Sequence, residues 1–190
     1  MSESLLKHIQ RKTELTPLEQ EKLLSKIEYR KLKKKELLLE EGSVCDFFCF
    51  IEKGCCRMYL INDKGNEQTL QFGIEDWWIM DYMSYSTENP SDFYIQAVEN
   101  SEVLIIPKND LEQLLIEIPK LERYFRIVLQ KTFAATQMRI KFLFTMSAEE
   151  RYHHFNNAFP VFVQRVPQYM LASYLDFSAE FMSKIRAGKI

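Results

Sequence analysis

Residues 166–189 read VPQYMLASYLDFSAEFMSKIRAGK, a pattern that predicts two short helices joined by a tight turn. Pro167 has no N–H group to leave unpaired, so it favours the start of the first helix. Ser178 is a preferred N-cap for the second helix, in which Met182 and Ile185 form a buried stripe. This is the helix-turn-helix geometry that lays a helix into the major groove of DNA. Two packed helices without a DNA role are the alternative.

The composition is that of a folded protein without a membrane span. The chain has 190 residues, 46% of them hydrophobic, which is enough for one or two domains with real cores. No apolar run reaches the length of a membrane span. The N-terminal residues show no basic segment followed by an apolar one, so no secretory signal is predicted. We therefore expect a cytoplasmic protein without a membrane partner.

The four cysteines lie close together in the sequence, at Cys45, Cys49, Cys55 and Cys56. Four thiols suit a zinc or iron–sulfur site, but no C-x-x-C pair occurs and adjacent cysteines point to opposite faces of a strand. Disulfides are not expected in a reducing cytoplasm. The sequence predicts no metal site and buried thiols that act as small hydrophobic side chains. It leaves open whether they sense redox state.

Charge is unevenly distributed along the chain. Residues 120–190 contain 11 Lys and Arg against 5 Asp and Glu, a net charge of +6, whereas residues 1–119 carry −8. A basic segment that contains a helix-turn-helix suits a polyanionic partner. The alternative is that the basic excess is a solvated helix face.

Residues from about Tyr29 to Pro107 show short strands separated by turn residues. Examples of the predicted strands are 35–39, 47–51, 56–61, 68–72, 94–98 and 103–106. Upstream of them, Thr16, Pro17 and Glu19 have the pattern of a capped helix start. Many short strands at this spacing predict a compact antiparallel barrel or roll.

One long helix is predicted after the strands, from Pro119 to about residue 146. Apolar residues recur in it at helical spacing, and Ser147 with Glu150 forms a capping box for the next helix. The same helix of a second subunit is an economical cover for so long a stripe; packing on the chain's own roll is the alternative. The candidate dimer residues are Leu121, Phe125, Val128, Thr132 and Ala135.

The order of helix, β-roll, long helix, capped helix and helix-turn-helix resembles the Crp/Fnr family of bacterial transcription regulators. The motifs that carry the resemblance are Glu41-Gly42, Phe50-Ile-Glu-Lys-Gly54 with Arg57, Gly65, Ser147-Ala-Glu-Glu-Arg-Tyr152, residues 165–175 and Ser183-Lys-Ile-Arg186. They cover nearly the whole chain and look like a branch common in Bacteroidetes-type bacteria.

The resemblance implies an α+β fold in three parts. These are an N-terminal, cyclic-nucleotide-binding-type antiparallel β-roll as the sensor at 1–118, a dimerisation helix at 119–146, and a helix-turn-helix DNA-binding domain at 147–190. Because the sequence stops at Ile190, the family's wing is expected to be truncated or absent.

The family's cyclic-nucleotide pocket does not carry over. Members that bind cyclic AMP use a Gly-Glu pair for the ribose, and the resemblance places Met80 and Asp81 there. Ser91 stands where the phosphate arginine would be, and no Lys or Arg occurs between Gln68 and Lys108. A phosphate inside a protein needs a cation or several N–H donors. No response to cyclic AMP is therefore predicted, and no other cofactor is implied.

Aromatic side chains replace the polar pocket. They either host an unknown apolar or aromatic small-molecule effector or fill the cavity and abolish ligand binding. The candidate effector-pocket residues are Trp77, Trp78, Asp81, Tyr82, Tyr85, Ser91, Phe93 and Tyr94.

The expected recognition helix departs from the family pattern, which commonly reads Ser/Thr–Arg/Pro–Glu–Thr–x–Ser/Gly–Arg. Lys184 replaces an arginine that grips guanine. Phe181 replaces a threonine and either touches a thymine methyl or packs inward. Asp176 stands where a turn glycine is usual. The candidates for base contacts are Ser178, Ala179, Glu180, Ser183 and Lys184, and those for phosphate contacts are Arg165, Gln168, Ser173, Arg186 and Lys189.

These patterns predict a sequence-specific DNA-binding transcription regulator with a degenerate nucleotide pocket, a homodimer that reads a palindromic site in double-stranded DNA. RNA polymerase is a further candidate partner from the resemblance. The alternative is a β-roll sensor or protein-interaction module whose helix-turn-helix no longer reads DNA. An enzyme is not expected, because the three histidines, His8, His153 and His154, form no cluster on the strands.

Overall fold

The computed structural model describes residues 3–187 and shows the mixed α and β architecture that the sequence predicts. The helices are α1 Glu3–Gln10, α2 Pro17–Leu24, α3 Tyr82–Thr87, α4 Lys108–Glu117, α5 Lys120–Thr145, α6 Ala148–Ala158, α7 Pro160–Arg165, α8 Gln168–Tyr174 and α9 Ala179–Arg186. The strands are β1 Glu28–Leu32, β2 Leu37–Leu39, β3 Phe47–Lys53, β4 Cys56–Ile61, β5 Glu67–Gly73, β6 Trp78–Ile79, β7 Tyr94–Ala97 and β8 Ser101–Pro107.

The strands form two four-stranded sheets, one in the order β1-β8-β3-β6 and the other in the order β2-β7-β4-β5. The pairings between β3 and β8, β1 and β8, and β4 and β7 are all antiparallel. The β3–β8 ladder starts at Phe47↔Pro107 and shifts register between Ile51 and Lys53. This is the antiparallel β-roll that the spacing of the strands predicts.

Two strands were missed by the sequence patterns. β1 is highly charged and buries only Leu32 fully, because it lies at the edge of its sheet. β6 consists of Trp78 and Ile79 alone. Neither strand shows the alternation over four or more residues on which a strand prediction rests.

Turn residues fix the connections between strands. Gly54 joins β3 to β4 with a φ of +101°, and a Cβ at this position would clash with the backbone and side chain of Ser101. Gly65 occupies the β4–β5 turn with a φ of +76°. Both conformations favour glycine, which has no Cβ to strain.

Both predicted capping boxes are present. The Thr16 hydroxyl accepts a hydrogen bond from Glu19 N, and the Glu19 carboxylate accepts one from Thr16 N at 2.7 Å. Ser147 and Glu150 make the same reciprocal pair at the start of α6. Each box satisfies main-chain donors that a helix start leaves without partners.

The chain divides into two compact units. The first runs to Leu60 and resumes from Gln71 to Gln130, and the second consists of Ile61–Leu70 and the chain from Lys131 onward. The expected boundaries at 118 and 146 differ from this division, because α5 is shared between the units and the β4–β5 hairpin tip belongs to the second.

Each unit has its own core. In the first, buried residues of the roll such as Phe50, Ile51 and Leu104 pack with Leu121 and Tyr124 of α5. In the second, Leu171, Ala172, Leu175 and Met182 pack together, with Phe155 and Phe177 beside them. Within the described residues, no helix combines the length and apolar character that crossing a membrane requires.

Candidate DNA interface and effector site

A Schellman turn joins α8 to α9. Phe177 N donates to Ala172 O at 3.1 Å and Asp176 N to Ser173 O at 3.2 Å, which is the paired hydrogen-bond pattern of this motif. Asp176 takes the left-handed position, with a φ of +62°. Glycine is usual there, and aspartate is one of the few other residues that tolerate it. The turn brings Phe177 back against the Leu171 cluster.

The exposed face of α9 carries the residues predicted to contact bases. Ser178 caps the helix, since its hydroxyl accepts from Phe181 N at 3.2 Å. Met182 and Ile185 are 1% and 6% exposed and hold the helix to its unit. The remaining face is open to solvent and presents Ser178, Ala179, Glu180, Ser183 and Lys184.

Charge and shape on this face suit a polar ligand. A hydrogen bond with its own main chain, another from the Ser178 hydroxyl and the charge of Lys184 lower the pKa of the Glu180 carboxyl, so it is an ionised acceptor at neutral pH. Phe181 is half-buried and packs edge-on against Phe177, with ring centroids 5.6 Å apart. Of the two roles that the sequence left open for Phe181, this packing favours the inward one.

The structure places the phosphate candidates in different surroundings. Gln168 is exposed in the first turn of α8, and Arg165 is half-buried at the end of α7. Arg186 ends α9, while Lys189 and the expected truncation of the wing lie outside the described residues. Ser173 is engaged within the protein.

Ser173 binds the edge strand of a sheet instead of offering its hydroxyl to a ligand. Its Oγ accepts from Thr69 N at 2.8 Å and donates to Glu67 O at 2.8 Å. Gln68 Nε2 donates to Ser173 O at 2.5 Å. Because this hydroxyl is already used twice, the prediction of a phosphate contact through it is corrected.

Two arginines that were not among the predicted site residues hold the end of α8. Arg139 Nη2 donates to Tyr174 O at 2.9 Å, and its guanidinium lies 4.5 Å from the centre of the Tyr174 ring. Arg151 donates from Nε to Leu175 O at 3.0 Å. Part of the basic excess that suggested a polyanionic partner is therefore used inside the protein.

In the first unit, the polar residues of the predicted effector pocket bind one another. Asp81 is the N-cap of α3 and accepts from Met83 N and Ser84 N at 2.9 and 3.2 Å. Its other oxygen accepts from the Ser91 hydroxyl at 2.7 Å, and the same hydroxyl accepts from Phe93 N at 3.0 Å. Asp81 and Ser91 are 4% and 2% exposed. The residues at the expected ribose and phosphate positions, Asp81 and Ser91, are thus hydrogen-bonded to each other.

Aromatic rings of the predicted pocket pack into the core. Phe48 lies edge-on to Trp78, Tyr82 and Tyr85, with ring centroids 4.9 to 6.1 Å apart. The indole N–H of Trp78 donates to the Tyr124 hydroxyl at 2.8 Å. These rings fill the space between β3, β6 and α5.

The other aromatic candidates lie apart from that cluster. Trp77 is 45% exposed, and Tyr94 stacks on Tyr59 with ring centroids 5.1 Å apart. The structure therefore does not bring the eight residues together around one cavity. A cavity of about 470 Å³ in this unit is lined by none of them; its residues are Val44, Asp46, Glu88, Pro107, Lys108 and Asn109.

The four cysteines are buried and form no disulfide with one another within the described chain. Burial raises the pKa of the Cys56 thiol to about 12 and raises that of Cys49 well above its ordinary value. Thiols with raised pKa values stay protonated at neutral pH and are poor nucleophiles. Among residues 3–187, no group of three or more His, Cys, Asp or Glu side chains is arranged to hold a metal ion.

The dimer prediction needs a correction along α5. Leu121, Phe125 and Val128 are at most 9% exposed and belong to the core of the first unit, so they cover the roll and are not available to a partner. Thr132 is half-buried and Ala135 is exposed. The large apolar residues that α5 does expose are Leu129, Phe133, Met138, Ile140 and Phe144.

Comparisons with known proteins agree with this architecture. Residues 29–117 match the cyclic nucleotide-binding domain family. The chain is 27% identical over 126 residues to the transcriptional activator protein Anr of Pseudomonas protegens, a match that covers 64% of this chain and 49% of Anr. It is 28% identical over 120 residues to the anaerobic regulatory protein of Pasteurella multocida, a match that covers 63% of this chain and 43% of that protein. These comparisons support a likeness to the Crp/Fnr family of transcription regulators.

The Crp/Fnr fold extends over nearly the whole chain. The c-di-GMP responsive global regulator CLP of Xanthomonas campestris superposes with a TM-score of 0.75 at 14% identity, covering 91% of both chains. At this identity the likeness shows the fold alone. The chain spans about half the length of the curated Crp/Fnr relatives it matches, and these are named as regulators and not as enzymes.

Proposed function

We propose that the chain is a sequence-specific DNA-binding transcription regulator that works as a homodimer and has lost the nucleotide pocket of its family. The observation that carries the proposal is the exposed polar face of α9, held by a buried apolar face and a Schellman turn. In a Crp/Fnr chain, this is the face that a recognition helix presents to base edges in the major groove.

The side chains of that face suit base recognition. Lys184 donates to guanine O6 and N7, and an ionised Glu180 accepts from the amino group of cytosine. Ser183 lies on the same exposed face and can donate or accept. Arg165, Gln168, Arg186 and Lys189 remain the proposed phosphate contacts that fix the register on the duplex.

Dimerisation through α5 follows from the apolar residues that the helix exposes. Phe133, Ile140 and Phe144 are 65%, 46% and 86% exposed. Their spacing of seven and four residues places them on one face of a helix. An apolar stripe of this kind on an exposed helix is expected to be covered by a partner. Two copies of the chain would then present two α9 helices to successive half-sites of a palindrome.

Loss of the nucleotide pocket is supported by the Asp81–Ser91 hydrogen bond and by the aromatic packing around Phe48. No Lys or Arg occurs between Gln68 and Lys108, so this segment itself supplies no cation for a cyclic phosphate. Of the two roles left open for the aromatic residues, the packing supports filling of the cavity.

A second candidate function is a β-roll interaction module whose helix-turn-helix does not read DNA. Two observations favour it. The hydroxyl of Ser173 is bound to Thr69 and Glu67, and Phe181 turns toward Phe177. Both positions are thereby withdrawn from a DNA surface.

Selection of bound duplexes from a random pool tests the proposal directly. The full chain is expected to enrich a site with two inverted half-sites about one helical turn apart. Lys184→Ala should lose that enrichment. Lys34→Ala, which removes the same charge at an exposed position of the first unit, should keep it. A folded chain that enriches no sequence would favour the interaction module.

A further inference from the structure

The last carbonyls of α8 are bound by arginine side chains. A Schellman turn pairs two carbonyls inside the helix and leaves those at its very end to other donors. Arg139 donates to Tyr174 O, and Arg151 donates to the next two, Leu175 O at 3.0 Å and Asp176 O at 3.4 Å. A cation at this end of a helix is also favoured by the helix dipole.

Arg151 has an additional anchor at the end of another helix. Its Nη1 donates to Met146 O at 2.8 Å, and Met146 N closes the last turn of α5 on Phe142 O. The Ser147–Glu150 capping box places Arg151 in the first turn of α6. One guanidinium therefore joins the end of α5, the start of α6 and the turn between α8 and α9, all within the second unit.

These contacts require the shape of an arginine. Nε and Nη2 lie on one edge of the planar guanidinium and reach two successive carbonyls, while Nη1 reaches a third in another direction. A lysine carries the same charge on a single nitrogen and cannot reproduce that fork. Position 151 thus depends on geometry as much as on charge.

We propose that Arg151 is a positioning residue of the helix-turn-helix, which sets the angle at which α9 leaves the turn and takes no part in neutralising DNA phosphates. Asp176, whose carbonyl Arg151 holds, is followed two residues later by the N-cap of α9. A base-reading site tolerates displacements of only about 0.5 Å. Loosening this turn therefore moves Lys184 and Glu180 out of register.

The proposal rests on the proposed function for its DNA readout, and the salt dependence of binding separates positioning from phosphate contact. Loss of one phosphate contact lowers the slope of log K against log salt by about 0.9. Arg151→Lys and Arg151→Gln should weaken binding to the selected site about tenfold while leaving the slope unchanged. Arg165→Gln is the matched control, since it should lower the slope. A reduced slope for Arg151→Gln, or parental affinity for Arg151→Lys, would overturn the proposal.

A second readout does not need DNA. Hydrogen exchange of the Asp176 and Phe177 amides, which close the Schellman turn, should accelerate about tenfold in Arg151→Lys and stay unchanged in Arg165→Gln. If the parent chain binds no preferred DNA but the exchange accelerates, the proposed function fails and the positioning role stands. Unchanged exchange in Arg151→Lys rejects the positioning role whatever the DNA result.

Discussion

The hydroxyl of Ser173 and the main chain of Thr69 are joined by a 2.8 Å hydrogen bond, although the two residues are 104 positions apart. The same hydroxyl donates to Glu67 O. β5 is the outer strand of its sheet, and an outer strand presents N–H and C=O groups without a strand partner. A serine on α8 therefore supplies to β5 the donor and the acceptor that a neighbouring strand would supply.

Ser173→Ala should destabilise the second unit by about 1–3 kcal/mol, because it leaves the N–H of the buried Thr69 without its partner. The slope of DNA affinity against salt should not change, since the hydroxyl is used internally. Denaturant unfolding measures the first effect and binding titrations measure the second. Ser183→Ala, on the exposed face of α9, is the control and should change stability by less than about 0.5 kcal/mol. A lower salt slope with unchanged stability would restore Ser173 as a phosphate contact.

Asp176→Gly should raise stability by about 0.5–1 kcal/mol, because glycine adopts the left-handed conformation without a Cβ penalty. Asp176→Ala should lower stability, since alanine lacks the polar side chain that eases this conformation in aspartate. Asp176→Asn removes the charge and keeps that tolerance, so it separates electrostatics from backbone strain. The melting temperatures of the three variants, measured by thermal unfolding, give the order of their stabilities. Equal melting temperatures for the Gly and Ala variants would show that the backbone at residue 176 carries no strain.

Local patterns predicted α8, α9 and their turn well, because caps and helical spacing lie within a few residues of one another. Ser178 caps α9 and Met182 is buried, as its spacing requires. The contacts of Arg151 with Leu175 and Asp176 join residues about 24 positions apart, and no local pattern contains them. The same holds for Ser173, whose polar side chain looks like a phosphate contact until the fold brings β5 beside it.

The dimer face of α5 shows a different limit of sequence reasoning. Leu121, Phe125 and Val128 form a helical stripe, and the sequence does not reveal whether the β-roll or a second subunit covers it. In the structure the β-roll of the first unit covers this stripe. Leu129 follows Val128 by one residue, which turns it about 100° around the helix, and it begins the exposed face. A helix of 26 residues therefore carries two apolar stripes that periodicity alone does not separate.

Lys184→Ala should weaken the selected site by about 1–3 kcal/mol, the value of one good base contact, and should weaken random DNA much less. Arg165→Ala should weaken both DNAs alike and lower the salt slope by about 1. Fluorescence anisotropy on matched selected and scrambled duplexes, over a range of salt concentrations, distinguishes the two patterns. Equal losses on both DNAs for Lys184→Ala would argue against base reading at this position.

Cyclic AMP and cyclic GMP should give no more binding heat than 5′-AMP in isothermal titration calorimetry. Both oxygens of Asp81 are occupied by donors of α3 and Ser91, and the segment between Gln68 and Lys108 offers a phosphate no cation. The 5′-AMP titration controls for non-specific binding of the base and the phosphate. A sub-micromolar affinity for either cyclic nucleotide would mean that the Asp81–Ser91 pair opens to form a pocket.

Ile140→Glu should convert the dimer into a monomer, whereas Met138→Glu should not. The two side chains are exposed to nearly the same extent, 46% and 45%, but they are two residues apart and therefore lie about 200° apart around α5. Only Ile140 shares the face of Phe133 and Phe144, where a buried charge would cost several kcal/mol per subunit. Sedimentation velocity at several concentrations measures the association state of each variant. A dimer that survives Ile140→Glu, or that is lost only in Met138→Glu, would place the interface elsewhere on the chain.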